Sequence, residues 1–378
     1  MRKFFCFISG ILVLPVSVFC QAVIEISNPM VTGRIEEVVT IPWKDILSIY
    51  PGIDTANFIV IHPKTKKQLP YQLEYRGESQ VKNLVIQVTV GAKSKLLLRL
   101  QKGRRGSFVS KTYCRYVPER KDDFAWENDK IAFRMYGKAL EKTPNEMAYG
   151  VDVWVKRTDR LIINDWYKKN DYHTDNGDGV DYYKVGLTLG AGDIAPDVND
   201  TIWYPKNYRS WKVLDNGPLR STFQLEYDEW TVASQKVKVV KTISLDAGSQ
   251  LNRVEIKYFF DQTPELPVVA GIVKRKEPGT LLLDEKKHIM AYWEPIHGKD
   301  GTTGVGCLFM GPVQRMKTDK EHLLTVMLAK QEEPVLYYSG AAWNKAGIIT
   351  TSEKWFDYLQ SYKQKLEQPI TVIVRKRR

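Results

Sequence analysis

Short apolar runs rich in β-branched residues, each closed by a turn signal, recur along nearly the whole chain and leave little room for helices. Residues 38–42 and 58–62 are two such runs, 84–90 alternates loosely, and 96–100 closes a first set. Pro51-Gly52, Pro63, Gly77 and Gly91 punctuate them. The spacing predicts a small antiparallel β-sandwich over residues 21–105, with one helical turn at 43–49 crossing between strands. The basic stretch Lys102, Gly103, Arg104, Arg105, Gly106, Ser107 marks a boundary. Beyond it the runs lengthen (131–136, 151–155, 220–227, 236–243, 254–260) and continue at 280–283, 288–293, 306–310, 323–328 and 335–338. These predict a larger antiparallel sheet pair, an all-β body over residues 106–378. A helix at 352–366, capped by Ser352, places Trp355, Leu359, Tyr362 and Leu366 on one face. Pro369 ends it before a last strand at 370–374.

The first residues carry a different signal. Arg2 and Lys3 precede an apolar run over 4–19 broken by Gly10 and Pro15, the pattern of a secretory signal spanning residues 1–20. Cleavage after Cys20 makes the protein periplasmic or secreted. Acylation at Cys20 is the alternative, against which the bulky Phe19 stands. No later segment is apolar enough to span a membrane. Cys114 and Cys307 remain in the mature chain, as one disulfide or as two separate buried thiols. Loss of Arg2 and Lys3 leaves a net charge of +10 of the chain's +12. That excess favours anionic partners, and export together with the lack of phosphate-loop or zinc-finger spacing excludes nucleic acid. An acidic oligosaccharide or polysaccharide is the expected partner.

Chemistry-bearing residues concentrate between Arg134 and Arg220. At the centre, residues 171–183 hold four carboxylates, one histidine and three tyrosines, with Gly177 and Gly179 allowing turns. Loops on a rigid β scaffold commonly carry binding groups. Three chemistries fit. Asp171, Asp175 and Asp178 could hold calcium, although no acid closes the loop at the expected spacing; no other cofactor is indicated. Two of Asp152, Asp178 and Asp181 could serve as the acid and base of glycoside hydrolysis. His173 or Tyr172 could move a proton while Arg134, Lys156 or Arg220 neutralises a substrate carboxylate, as β-elimination of a uronate requires. Of the surrounding aromatics, Trp154 and Trp211 lie beside cationic residues and are the expected sugar-stacking rings. Trp293, Glu294 and His297 form a second, weaker group.

Several long motifs carry a resemblance. They are the stretches 124–129 and 132–137, the run 150–157 (Gly-Val-Asp-Val-Trp-Val-Lys-Arg), Asp171-Tyr172-His173, 216–220 (Asn-Gly-Pro-Leu-Arg), 243–253 and 338–343. Together they resemble the secreted family of domain of unknown function 4861, over nearly the whole mature chain. Members occur in Gram-negative polysaccharide degraders, beside unsaturated-uronyl hydrolases. Residues 245–253 are also similar to the β-supersandwich of galactose mutarotase-like proteins and several polysaccharide lyases. The resemblance implies a β-supersandwich for the second body, and its motifs contain Arg134, Asp152, Trp154, Lys156, His173 and Arg220.

The expected function is therefore an extracytoplasmic carbohydrate-active enzyme, a lyase or hydrolase of uronate-containing, pectin-like oligosaccharides. A non-catalytic glycan-binding protein and an aldose mutarotase or isomerase are the alternatives.

Overall fold

The computed structural model describes residues 20–376; all but the last residue of the expected signal segment, 1–20, lies outside that span. The protein is all-β, as the strand periodicity predicts, with a long helix near its end.

The first module packs a four-stranded sheet against a three-stranded one. Alternation does the work here: Ile24 and Ile26 from one sheet and Ile41, Leu84 and Ile86 from the other point inward and are fully buried. The helical turn Trp43–Ile49 inserts Trp43 and Ile46 into this core. One strand comes from far away in sequence. Thr371–Arg375, expected with the larger body, pairs antiparallel with Cys20–Ser27 and so ties the end of the chain to its start.

The larger body is a supersandwich. A nine-stranded antiparallel sheet faces two five-stranded sheets, which the bridge Val151↔Gly190 joins edge to edge. Between the layers lies one continuous core including Trp126, Phe133, Phe223, Ile256 and Phe309. Cys114 and Cys307 sit within it as separate free thiols, and burial pushes the Cys114 thiol up to about 12.

The helix Ser352–Glu367 lies on the outer face of the nine-stranded sheet. Its cap is Thr351, one residue before the expected Ser352; the Thr351 hydroxyl accepts from the Lys354 amide at 3.4 Å. Trp355 and Leu359 can approach because strand Thr303–Phe309 carries glycines beneath them. A Cβ on Gly306 would stand 2.6 Å from Leu359 Cδ1, and one on Gly304 2.8 Å from Trp355 Cδ1.

Candidate functional site

The outer face of one five-stranded sheet is unusually polar for a buried surface. In strand Asp152–Lys156 the alternate residues Asp152, Trp154 and Lys156 point away from the main core, as do Asp123 and Glu127 of strand Asp123–Asn128 and Arg134 of strand Ile131–Met135. All are buried, because residues 158–183 fold over them as a cap. The cap contains the helix Ile163–Lys169, which the strand periodicity did not reveal. The fully buried Glu127 carboxylate binds Lys156 Nζ at 2.9 Å and accepts the amides of Ile162 and Ile163 at 2.8 Å each, so it anchors the start of that helix. Gly179, with φ of +144°, brings the chain back against Val155; a Cβ there would lie 2.1 Å from the Val155 carbonyl oxygen.

Arg134 is the centre of the network. Its Nη2 reaches Asp152 Oδ2 at 2.5 Å and Asp181 Oδ2 at 3.0 Å, and its Nη1 stands 3.6 Å from Asp123 Oδ2. One guanidinium thus faces three buried carboxyls. Burial pushes Asp123 up to about 6 and Asp181 well above the carboxylate range, against the pull of Arg134. Beside Arg134, Trp154 stacks on Trp166 and Tyr172 and meets Tyr167 at a tilt, with ring centroids 4.8–5.4 Å away. Buried ion clusters are weak contributors to net stability. What this one does is fix the loop above it.

His173 sits on that loop with two-thirds of its side chain exposed. Its Nδ1 lies 2.9 Å from the Asp181 carbonyl oxygen and 3.6 Å from an Asp181 carboxyl oxygen. A carbonyl can only accept, so Nδ1 carries a proton, and in the neutral form of the imidazole the lone pair is then on Nε2. The adjacent Tyr182 stacks face to face on His297 at 5.0 Å and shares a 2.6 Å hydrogen bond with Thr303. His297 Nδ1 is 3.4 Å from Asp300 Oδ2, and the Asp300 carbonyl accepts from Trp343 Nε1 at 2.7 Å. Arg157 covers the Trp343 ring at 4.6 Å and pairs with Asp175. These contacts close a circuit from His173 through Tyr182, His297 and Trp343 back to the cap loop. At the Arg157–Trp343 end of this circuit opens a cleft of about 520 Å³ whose walls also include Lys130 and Asp178; neither His173 nor His297 is among its lining residues.

The model of the family described as a domain of unknown function, DUF4861, matches residues 26–372. The chain belongs to that family. A relative from Formosa agariphila, named uncharacterized protein P7, is 30% identical over 377 residues, 93% of each chain. Solved structures share the fold at low identity. A glycosyl hydrolase family 38 protein from Enterococcus faecalis matches with TM-score 0.56 and 10% identity, over 94% of this chain and 48% of that one. An alpha-mannosidase from Enterococcus faecalis V583 matches with TM-score 0.51 and 12% identity, over 96% and 47%. The chain spans about half the length of each of those two proteins.

The DUF4861 motifs that stood out in the sequence fall into distinct places. Arg134, Asp152, Asp181, Tyr172, Trp154 and His173 do converge, but only His173 reaches the surface. Trp154 is fully buried and offers no face to a sugar. The Tyr172 ring is buried too, and its hydroxyl accepts from Arg120 Nε at 3.2 Å, which removes it as a surface proton carrier. Lys156 is spent on Glu127 and two carbonyls. Asp178 pairs with Arg160 at 2.5 Å. Asp171, Asp175 and Asp178 engage Asn176, Arg157 and Arg160 separately, and no group of three or more potential metal ligands occurs among the described residues. Trp211 is exposed on an edge strand, stacked on Tyr116 at 5.1 Å, outside the cap network. Arg220 lies where the two bodies meet, held by Asp246 and Glu74. Asp123, Glu127 and Arg275 were missed; Asp123 and Glu127, charged residues on one face of a short strand, left a visible signal, whereas Arg275 lies in a connection after strand Glu265–Val273.

Arg275 belongs with Glu294. The Arg275 Nε to Glu294 Oε1 distance is 2.6 Å, and the guanidinium lies over Tyr183 at 4.5 Å. Burial still pushes Glu294 up to about 7. Asp123 and Glu294 therefore bind protons more tightly folded than unfolded. The stability this gives is whole below their ordinary values of 3.8 and 4.5 and is lost as pH rises through about 6 and about 7. Glu294→Gln, which cannot ionise, should gain on the wild type in urea unfolding as pH is raised from about 5 to about 8. Parallel curves would mean that Glu294 is already ionised in the acid range.

Proposed function

We propose that this is a carbohydrate-active enzyme of the extracytoplasmic space that cleaves uronate-containing oligosaccharides by β-elimination. The observation that carries the reading is the exposed His173 ring, held through Nδ1 by the Asp181 carbonyl on the same cap loop whose Asp175 pairs with Arg157, a residue that lines the cleft together with Lys130. In this reaction Nε2 takes the C5 proton of a uronate and the C4–O4 bond breaks. A C4=C5 double bond forms, and the leaving O4 takes a proton from His297. Arg157 and Lys130 draw charge from the substrate carboxylate.

Hydrolysis is supported less. It needs two carboxyls facing the substrate across the scissile bond, whereas Asp152 and Asp181 are buried against Arg134 and Asp178 is bound to Arg160. The fold shared with glycosidase structures supports a saccharide partner and leaves the reaction open. The test is to incubate the protein with short oligogalacturonates and follow both ultraviolet absorbance and reducing ends. Elimination makes the two rise together. Reducing ends without absorbance would replace elimination with hydrolysis, and binding without either product would make the protein a glycan-binding one.

A further inference from the structure

A second cleft, of about 370 Å³, opens where the first module, the supersandwich and the helix Ser352–Glu367 meet. That volume lies within the range of small-ligand sites. The cleft shares no residue with the cap. One wall is the edge of strand Arg34–Pro42, the opposite wall holds Tyr338 and Arg253, and the helix contributes Tyr362 and Lys365.

The walls are held fixed. Arg34, almost fully buried, donates to the Gln368 carbonyl and pairs with Glu37 at 2.6 Å, which pins the helix end to the first module. Arg220 bridges the other side. It binds Asp246 of the sandwich at 2.5 Å and 2.8 Å and Glu74 of the first module at 3.2 Å. The pairing of strand Thr371–Arg375 with Cys20–Ser27 adds a third tie. The cleft is thus part of a rigid joint.

Its chemistry is mixed in a particular way. Tyr338 and Tyr362 stand tilted at 58° with centroids 5.6 Å apart, giving ring faces together with hydroxyls. Three cations, Arg220, Arg253 and Lys365, are each matched by an acid: Asp246, Glu255 and Glu37. Lys365 Nζ lies 3.6 Å from Glu37 Oε2, which has no hydrogen-bond partner in the protein. A purely apolar ligand would strand these polar groups. A simple anion would meet the acids as well as the cations. A polyhydroxylated ring satisfies both, with C–H faces against tyrosine and hydroxyls donating to carboxylates and accepting from guanidinium groups.

We infer that this inter-module cleft is a saccharide-binding site separate from the cap, so that the first module helps to hold glycan. This stands whether or not His173 is catalytic.

Ile35 permits a clean test, because it lines the cleft yet is 76% exposed. Ile35→Trp should fill the cleft without disturbing a packed core, and Arg253→Gln should remove one donor group. Both are made in the full chain carrying His173→Ala, to prevent turnover. They are titrated calorimetrically with short oligogalacturonates and with short neutral gluco-oligosaccharides, which also separates acidic from neutral ligands. One binding event should weaken about tenfold or more in each variant while the unfolding midpoint stays put. Unaltered affinity in both variants, or no binding of either sugar series to the parent, overturns the assignment.

Discussion

Arg134→Met should destabilise the protein by about 3–5 kcal/mol, the cost of removing one partner from a buried ionic cluster. Among the described residues the guanidinium is the one cation within hydrogen-bond reach of both Asp152 and Asp181, and Asp123 stands close by. Without it three buried carboxyls repel one another and must take up protons to stay buried. The loss should therefore deepen as pH rises, because each carboxyl then has to ionise without a counter-charge. Adding Asp152→Leu to Arg134→Met should return part of the stability, since replacing both partners with apolar groups is milder than stranding one. Urea unfolding of the single and double variants measures both effects. Limited proteolysis should cut residues 158–183 first in the single variant, because those residues lie on the disturbed network. A cost below about 1 kcal/mol, with the cap still resistant, would show that the cap is held by its aromatic stack and the Glu127 anchor without the Arg134 cluster.

The strands that alternate cleanly were legible. So was the final helix, where Trp355 and Leu359 recur at helical spacing and are buried. Strands Ala191–Val198 and Glu265–Val273 were not. Each contains a proline and a glycine (Gly192 and Pro196, Pro267 and Gly271), which break a run in sequence but are tolerated here between paired neighbours. Helix Ile163–Lys169 is only 7 residues long, and its anchor, Glu127, lies 35 residues before Ile162 in sequence. No local signal could join them. The candidate site was legible as a set of residue types, because Asp152, Trp154 and Lys156 are costly to place in a strand. Sequence could not reveal their depth. Trp154 reads equally well as a sugar platform or as the floor beneath a cap, and only the fold of residues 158–183 decides for the floor. The return of Thr371–Arg375 to the first module was hidden for a similar reason, since strand pairing across the whole chain leaves no mark in local composition.

His173→Ala should abolish turnover while leaving the fold intact. The ring is largely exposed and makes one hydrogen bond, to the Asp181 carbonyl, so its removal opens no core cavity. General-base groups contribute roughly 10²–10⁴ in rate, and the loss should fall on kcat more than on KM, because the proton moves only in the transition state. Arg134→Met should also lower the rate, but together with stability and cap protection. The decisive measurement is the initial rate of unsaturated-uronate formation from a short oligogalacturonate by wild type and His173→Ala, with unfolding curves from the same preparations. Equal unfolding midpoints with a rate lowered by about 100-fold or more are expected. A variant that forms the product at the wild-type rate would contradict the central claim that this imidazole is the base.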